Sequence, residues 1–330
     1  MTQAIRFHET GGPEVLRYED VEVGEPGAGE VRVQVEAIGL NRAEAMFRSG
    51  AYLEDPKLPA GIGYEGAGIV EAVGADVTGV AAGDAVSVIP AFSMNDYSFY
   101  AERAIVPAHA VTPRPRGLDA VQASVVWMPF LTAYGALIEI GELAAGDAVI
   151  IPAASSSVGL AAIEIANRVG AISIAATRTS AKADELKKAG AAHVIATEEQ
   201  DLAAEVMRIT DNAGARVVFD PVAGSGVETL VDAMAPAGIL FVYGALSGEP
   251  TPFPLIKGLN KALTMRGYTL FEVIGDPERF ARGKRFVTDG LEAGDFTATV
   301  SRTFGFAEMV EAHRYMESNQ QFGKIVVTVP

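Results

Sequence analysis

The chain has 330 residues, more than one hydrophobic core comfortably serves, so two domains are expected. A formal net charge of −16 makes the surface repel phosphate backbones and anionic headgroups. This argues against a nucleic-acid or membrane partner and requires any bound nucleotide to be held by a small local positive site. With no cysteine, the chain has no disulfides, no thiolate catalysis and no zinc site built on sulfur ligands.

The opening residues, Met1 to Phe7, lack a basic region followed by an apolar core, and no uninterrupted apolar run reaches the roughly 20 residues of a membrane span, so a cytoplasmic location is expected. The first third then reads as short strands between turns: Ala4 to Phe7, Val31 to Ala37 with period-two alternation, Gly68 to Gly74, and Ala85 to Ile89. Pro26-Gly27-Ala28-Gly29-Glu30 and Ala81-Ala82-Gly83-Asp84 are the turn clusters that precede two of these runs. From about Ala120 the pattern changes to an apolar helix, Ser124 to Ile140, and then a strand, Asp147 to Ile151, apolar enough to be buried on both faces. Helices at 160–169, 181–189, 202–209 and 226–234 alternate with strands at 171–176, 193–195, 216–219 and 238–242, the grammar of a doubly wound parallel sheet. A further strand from Leu263 to Tyr268, two helical stretches and a closing strand from Lys324 to Val329 follow, and the tail is expected to rejoin the first domain.

The strongest local signal is Val149 to Leu160, a buried strand that runs through the small-residue turn Pro152-Ala153-Ala154-Ser155-Ser156-Ser157 into a helix. Small residues let the backbone approach a pyrophosphate, whose charge the free N–H groups of the helix start would hold. Serines stand where two glycines of the usual fingerprint are expected, so the same turn also reads as a good N-cap and no more. About 20 residues beyond Gly159, where an NAD site carries a carboxylate, the chain reads Thr177-Arg178-Thr179-Ser180-Ala181-Lys182. A planar guanidinium with a second cation suits a ribose 2′-phosphate, which predicts NADPH; the bland alternative is a solvated loop.

Several spaced motifs carry a resemblance over nearly the whole chain: Ala4 to Leu16, Gly39-Leu40-Asn41-Arg42-Ala43-Glu44, Gly61-Ile62-Gly63-Tyr64-Glu65-Gly66, Phe130-Leu131-Thr132-Ala133-Tyr134, and Phe219-Asp220-Pro221-Val222-Ala223-Gly224. The chain resembles the medium-chain dehydrogenase/reductase superfamily and, within it, the zinc-independent quinone oxidoreductase (zeta-crystallin-like) branch. The resemblance implies an α/β fold in which a GroES-like β-rich catalytic domain, 1–122 and 265–330, is interrupted by a Rossmann NADPH-binding domain, 123–264. Zinc-using relatives carry a cysteine near the position of Asn41 and a histidine before the glutamate of a Gly-His-Glu motif. Here Asn41 and Tyr64 stand there, neither of them a good zinc ligand, so no metal is expected.

Carried over residue by residue, the resemblance places Asn41 and Thr132 near the nicotinamide and its ribose, and Ser156, Ser157, Val158 and Gly159 at the pyrophosphate. Thr177, Arg178 and Lys182 fall at the adenosine phosphate. Val222, Tyr243, Gly244 and Leu270 flank the nicotinamide half, and Phe322 approaches it from the tail. Asn41, Tyr52 and Tyr64 are the candidate catalytic residues, a tyrosine hydroxyl being able to hydrogen-bond a substrate oxygen as charge develops. Tyr52 reads equally well as an aromatic plug beside Pro56 and Pro59. Asp220 reads as a turn residue with Pro221, and the scattered His8, His109, His193 and His313 as structural or solvated. The serine-rich turn and the segment Ala91 to Tyr100 depart from the family pattern.

Without a Lewis acid an unactivated ketone loses its polarisation, whereas a quinone or enone delocalises the charge that hydride addition creates. The expected function is therefore NADPH-dependent hydride transfer to a quinone or other activated alkene. A crystallin-like or regulatory protein that binds NADPH with little catalysis is the alternative, since no general acid stands out. The apolar run Leu263 to Tyr268 at a sheet edge predicts a homodimer.

Overall fold

The computed structural model describes all residues, Met1 to Pro330. Two units divide the chain: residues 1–128 with 297–330, and residues 129–296.

In the first unit the alternation read in Val31 to Ala37 becomes strand Glu30–Gly39, whose odd-numbered residues from Val31 to Ala37 are buried. This strand is the hub of a seven-stranded sheet. It pairs antiparallel with Glu65–Val73, with Arg103–Pro107 and with the closing strand Lys324–Thr328. The tail therefore rejoins the first domain, as expected. Strand Val300–Gly305, absent from the sequence reading, pairs parallel with Lys324–Thr328; its sequence Val-Ser-Arg-Thr-Phe-Gly has little apolar alternation to announce it. Gly39 ends the hub strand against another segment, where a Cβ would lie 1.9 Å from the Ser124 carbonyl oxygen, a contact only glycine permits. Directly after it, Arg42–Ser49 forms a helix whose start is Asn41 and whose end is Gly50 in the left-handed region (φ 75°).

In the second unit six strands form one wholly parallel sheet in the spatial order 193–196, 172–177, 148–151, 215–220, 234–242, 264–267. Every residue of the central Ala148–Ile151 is buried, because a parallel strand is covered by crossover helices on both faces. This is the doubly wound arrangement expected from the strand and helix alternation.

Two expectations shift. The apolar stretch Ser124 to Ile140 is not one helix: it comprises helices Ala120–Ala123 and Trp127–Tyr134, then a wide π turn Gly135–Ile140. The wide turn starts at Gly135, where a Cβ would meet the Tyr268 hydroxyl at 2.2 Å. By length and composition residues 120–140 could span a membrane, yet 78% of their most apolar window is buried inside the protein, as in a core segment. The return to the first unit also comes later than residue 265. Strand Thr264–Gly267 is the sixth strand of the parallel sheet, and helix Pro277–Ala293 sets Gly283 against Leu131 and Tyr134 while Phe296 stacks on Phe130 at 4.6 Å. These contacts hold 265–296 in the second unit.

Candidate functional site

The small-residue turn expected to hold a pyrophosphate lies between strand Ala148–Ile151 and helix Ser157–Val169. Ser156 is the N-cap: its hydroxyl accepts the Gly159 N–H at 3.1 Å, one of the donors the first turn leaves without an intrahelical partner. Ser157 and Val158, the first two helical residues, are the remaining backbone donors of that turn. Gly159 is buried, and a Cβ there would meet the Ala154 carbonyl oxygen at 2.6 Å, so helix and turn pack as closely as a dinucleotide fold requires. Ala153 takes φ 47°, a left-handed conformation that lets the chain turn sharply out of the strand.

The second charged element follows strand Ile172–Thr177. The Arg178 carbonyl accepts the Glu198 N–H at 2.9 Å and the Thr177 carbonyl accepts the Thr197 N–H at 2.8 Å, fixing the loop while the Arg178 side chain stays exposed. Lys182 sits one short turn on, and its ammonium donates to the Ser155 hydroxyl at 3.2 Å, which joins this loop to the pyrophosphate turn. Its pKa is lowered, chiefly by burial and further by the nearby Arg178 charge, with Glu185 opposing. Two cations, the Arg178 charge near enough to lower the Lys182 pKa, beside a helix N-terminus fit a dinucleotide with an extra phosphate. Glu199, the carboxylate that reaches this loop, is engaged by the Ser180 N–H at 2.8 Å and its hydroxyl at 3.2 Å.

Asp220 ends strand Ala215–Asp220 fully buried, and accepts the Val222 N–H at 2.8 Å and the Ala223 N–H at 3.0 Å. Burial raises its pKa, with these two donors pulling against it, and both oxygens are used in shaping the turn, as its sequence reading held. Tyr243 stacks on Phe219 at 4.0 Å with its hydroxyl buried and without a hydrogen-bond partner. Gly244 packs on Pro221, where a Cβ would lie 2.7 Å from the carbonyl oxygen. Thr132 is buried on helix Trp127–Tyr134, and Leu270 is buried before helix Phe271–Ile274.

In the first unit Asn41 and Tyr64 are drawn together by a residue the sequence reading did not single out. Glu44, fully buried in the first turn of helix Arg42–Ser49, accepts the Asn41 N–H and, at 3.1 Å each, the Asn41 amide and the Tyr64 N–H. The Tyr100 hydroxyl donates to it at 3.0 Å and also meets His313 Nε2 at 3.2 Å. Burial pushes Glu44 up to about 7 against the two Asn41 donors, the Lys324 charge and the Tyr100 hydroxyl, and burial beside Arg48 and Arg42 drives His313 down to about 3. Lys324, 2% exposed, donates to Asn41 Oδ1 and to Glu65 Oε2 (2.7 Å), while the other Glu65 oxygen accepts the Met128 N–H at 2.8 Å.

The Asn41 carboxamide thus spends both protons internally, on Gly39 O and Glu44, and its oxygen already holds Lys324. What it retains is capacity to accept, not to donate. Tyr64 is buried with its hydroxyl lacking a partner at hydrogen-bonding geometry; Tyr52 lies beside it with ring centroids 6.4 Å apart. Burial pushes Tyr52 up to about 12, with the nearby Tyr64 hydroxyl opposing and the Glu44 and Glu54 charges adding; burial and the neighbouring Tyr52, then the same two charges, push Tyr64 still higher, so both phenols are protonated at neutral pH. Phe322 is half-buried, its N–H donating to Ser301 at 3.2 Å. Lys324 was legible only as the first residue of an apolar strand, where a lysine ordinarily reads as solvated.

A β-rich unit built from both ends of the chain around a Rossmann unit defines a medium-chain dehydrogenase/reductase. Residues 27–116 match the alcohol dehydrogenase GroES-like domain and residues 157–288 the zinc-binding dehydrogenase domain. The quinone oxidoreductase of Pseudomonas aeruginosa is 34% identical over 99% of both chains, and a 2-haloacrylate reductase of Burkholderia is 30% identical over 99% of both. The Escherichia coli quinone oxidoreductase structure, complexed with NADPH, superposes with a TM-score of 0.90 at 29% identity over 99% of both chains. The chain belongs to the quinone oxidoreductase family of zeta-crystallin-like oxidoreductases.

Proposed function

We propose that this protein is a cytoplasmic NADPH-dependent oxidoreductase that reduces a quinone or another conjugated alkene without zinc. The cofactor reading rests on the Arg178 and Lys182 cations after strand Ile172–Thr177, where Arg178 takes the place of a ribose-binding carboxylate and Glu199, the carboxylate that reaches the loop, is engaged by Ser180. It is supported by the NADPH complex of the Escherichia coli relative. Ser156, Ser157, Val158 and Gly159 would hold the pyrophosphate, Thr177, Arg178 and Lys182 the 2′-phosphate. Asn41, Thr132, Val222, Tyr243, Gly244, Leu270 and Phe322 are assigned to the nicotinamide half.

NADPH supplies the hydride. The protein's part is to position the acceptor and to stabilise the charge that hydride addition leaves on a conjugated oxygen. The Tyr64 hydroxyl is suited to that task because it is buried without a partner at hydrogen-bonding geometry, and its neighbour is the hydroxyl of Tyr52, from which a substrate oxygen could take it over. Asn41 serves as an acceptor only. The zinc-free reading is supported by Lys324: its ammonium lies on Asn41 and Glu65, where a second cation would be repelled. Relatives named for quinone and for 2-haloacrylate reduction both point to a conjugated acceptor.

Steady-state NADPH oxidation against ortho-quinones, para-quinones, alkenals and haloacrylates tests the reading. Turnover with one of these classes and metal analysis free of zinc are expected. NADPH bound tightly with no hydride loss across the set would favour the second reading, a binding protein, for which the internally consumed Asn41 amide speaks. Stoichiometric zinc would end the metal-free account.

A homodimer is proposed through strand Thr264–Gly267, the outer strand of the parallel sheet, because the preceding segment exposes Phe253 (61%), Ile256 (67%) and Leu259 (69%). Light scattering that finds only monomer would reject it.

A further inference from the structure

We propose that Ser155 is a specificity-positioning residue: its hydroxyl anchors the Lys182 ammonium on the pyrophosphate turn and thereby sets the preference for NADPH over NADH. This deepens the reading above and rests on its placement of the 2′-phosphate at Arg178 and Lys182.

The three serines of the turn do different work. Ser156 spends its oxygen on the Gly159 N–H as the N-cap. Ser157 opens the helix. Ser155 makes no cap; its hydroxyl receives the Lys182 N–H at 3.2 Å across a sequence separation of 27 residues. A lysine carries its charge on a flexible four-carbon stem, with rotamer freedom to lose before it can hold a ligand. Repulsion from Arg178 adds a reason for the ammonium to swing away, and Glu185 attracts it from its own helix. The Ser155 hydroxyl opposes both, so the second cation is already placed when a phosphate arrives. Because a hydroxyl is donor and acceptor at once, Ser155 keeps its own proton free while accepting from Lys182, and the turn and the loop then act as one preorganised anion site.

The test is fluorescence titration of NADPH and NADH, at fixed ionic strength, with wild type, Ser155→Ala, Ser155→Thr, Lys182→Met and the Ser155→Ala/Lys182→Met double variant. Lys182→Met is expected to weaken NADPH about tenfold or more and NADH little. Ser155→Ala should weaken NADPH about threefold to tenfold with NADH changing less than about twofold, and Ser155→Thr, which keeps the hydroxyl, should restore the preference. On the Lys182→Met background Ser155→Ala should leave the NADPH to NADH ratio unchanged. Equal weakening of both nucleotides by Ser155→Ala, a rise in preference, or a further loss of preference in the double variant would overturn the proposal. If Lys182→Met is selective and Ser155→Ala is not, the inference alone fails. If Lys182→Met is unselective, the 2′-phosphate placement fails with it.

Discussion

The chain keeps charge in two contrasting places. In the second unit Arg178 is exposed and Lys182, held by the Ser155 hydroxyl, is half-buried, so both cations lie within reach of solvent. In the first unit Lys324, Glu65, Glu44 and His313 are buried almost completely and are bonded among themselves or to Asn41 and Tyr100, with His313 Nδ1 left without a partner. The first arrangement is suited to recognising a ligand. The second fixes side chains, at the desolvation cost of several buried ionisable groups.

The contrast can be broken most forcefully with pH. The folded state holds His313 near 3, below its ordinary 6.5, so between those values the unfolded chain binds more protons and the contribution of His313 to stability rises with pH, by about 5 kcal/mol. Glu44 is held near 7, above 4.5, so there the native state binds more protons and its contribution falls as pH rises, by about 3 kcal/mol. From pH 4.5 to 6.5 the two oppose each other. Urea unfolding of wild type should therefore be nearly level across that window, whereas His313→Leu should lose stability as pH rises from 4.5 to 7. A level variant would remove the Glu44 shift.

Lys324→Met should cost about 3–5 kcal/mol in the same measurement, because it leaves Glu65 buried without a counter-charge. Pairing it with Glu65→Leu should recover much of the loss, and failure to recover would show that the pair is more than a mutual neutralisation. In the second unit, Arg178→Asp should weaken NADPH about a hundredfold and NADH far less, since it removes a charge-assisted contact and adds repulsion. Equal losses would take Arg178 out of the site. Ser156→Ala should cost about 1 kcal/mol of stability through the lost N-cap, with both nucleotides affected alike.

The two regions also differed in how far they could be read beforehand. The small-residue turn and the cation loop are local: strand, small residues, helix and Arg178 lie within about one βαβ unit, so their spacing is readable in the sequence. What escaped was the role of Ser155, whose partner lies beyond the next strand. The buried cluster is non-local throughout. Lys324 meets Asn41 across 283 residues and Tyr100 meets His313 across 213, and no periodicity marks such pairs. Strand Val300–Gly305 and the return at residue 297 were missed for a related reason, being held by pairing with Lys324–Thr328 and by the packing of 265–296 rather than by their own patterns.

From the residues alone came the two-unit plan, the parallel sheet and the reading of a dinucleotide turn, because backbone periodicity, small-residue turns and helix starts are encoded within short windows; the family came from a resemblance over motifs spread along the chain. Only the folded molecule decided that Asn41 has no proton left to give, that the Tyr64 hydroxyl is buried beside Tyr52, that burial moves Glu44 up and His313 down, and that Lys182 bonds Ser155. Each of these depends on which donors and acceptors remain after distant segments have met, and that inventory exists only once the chain has closed.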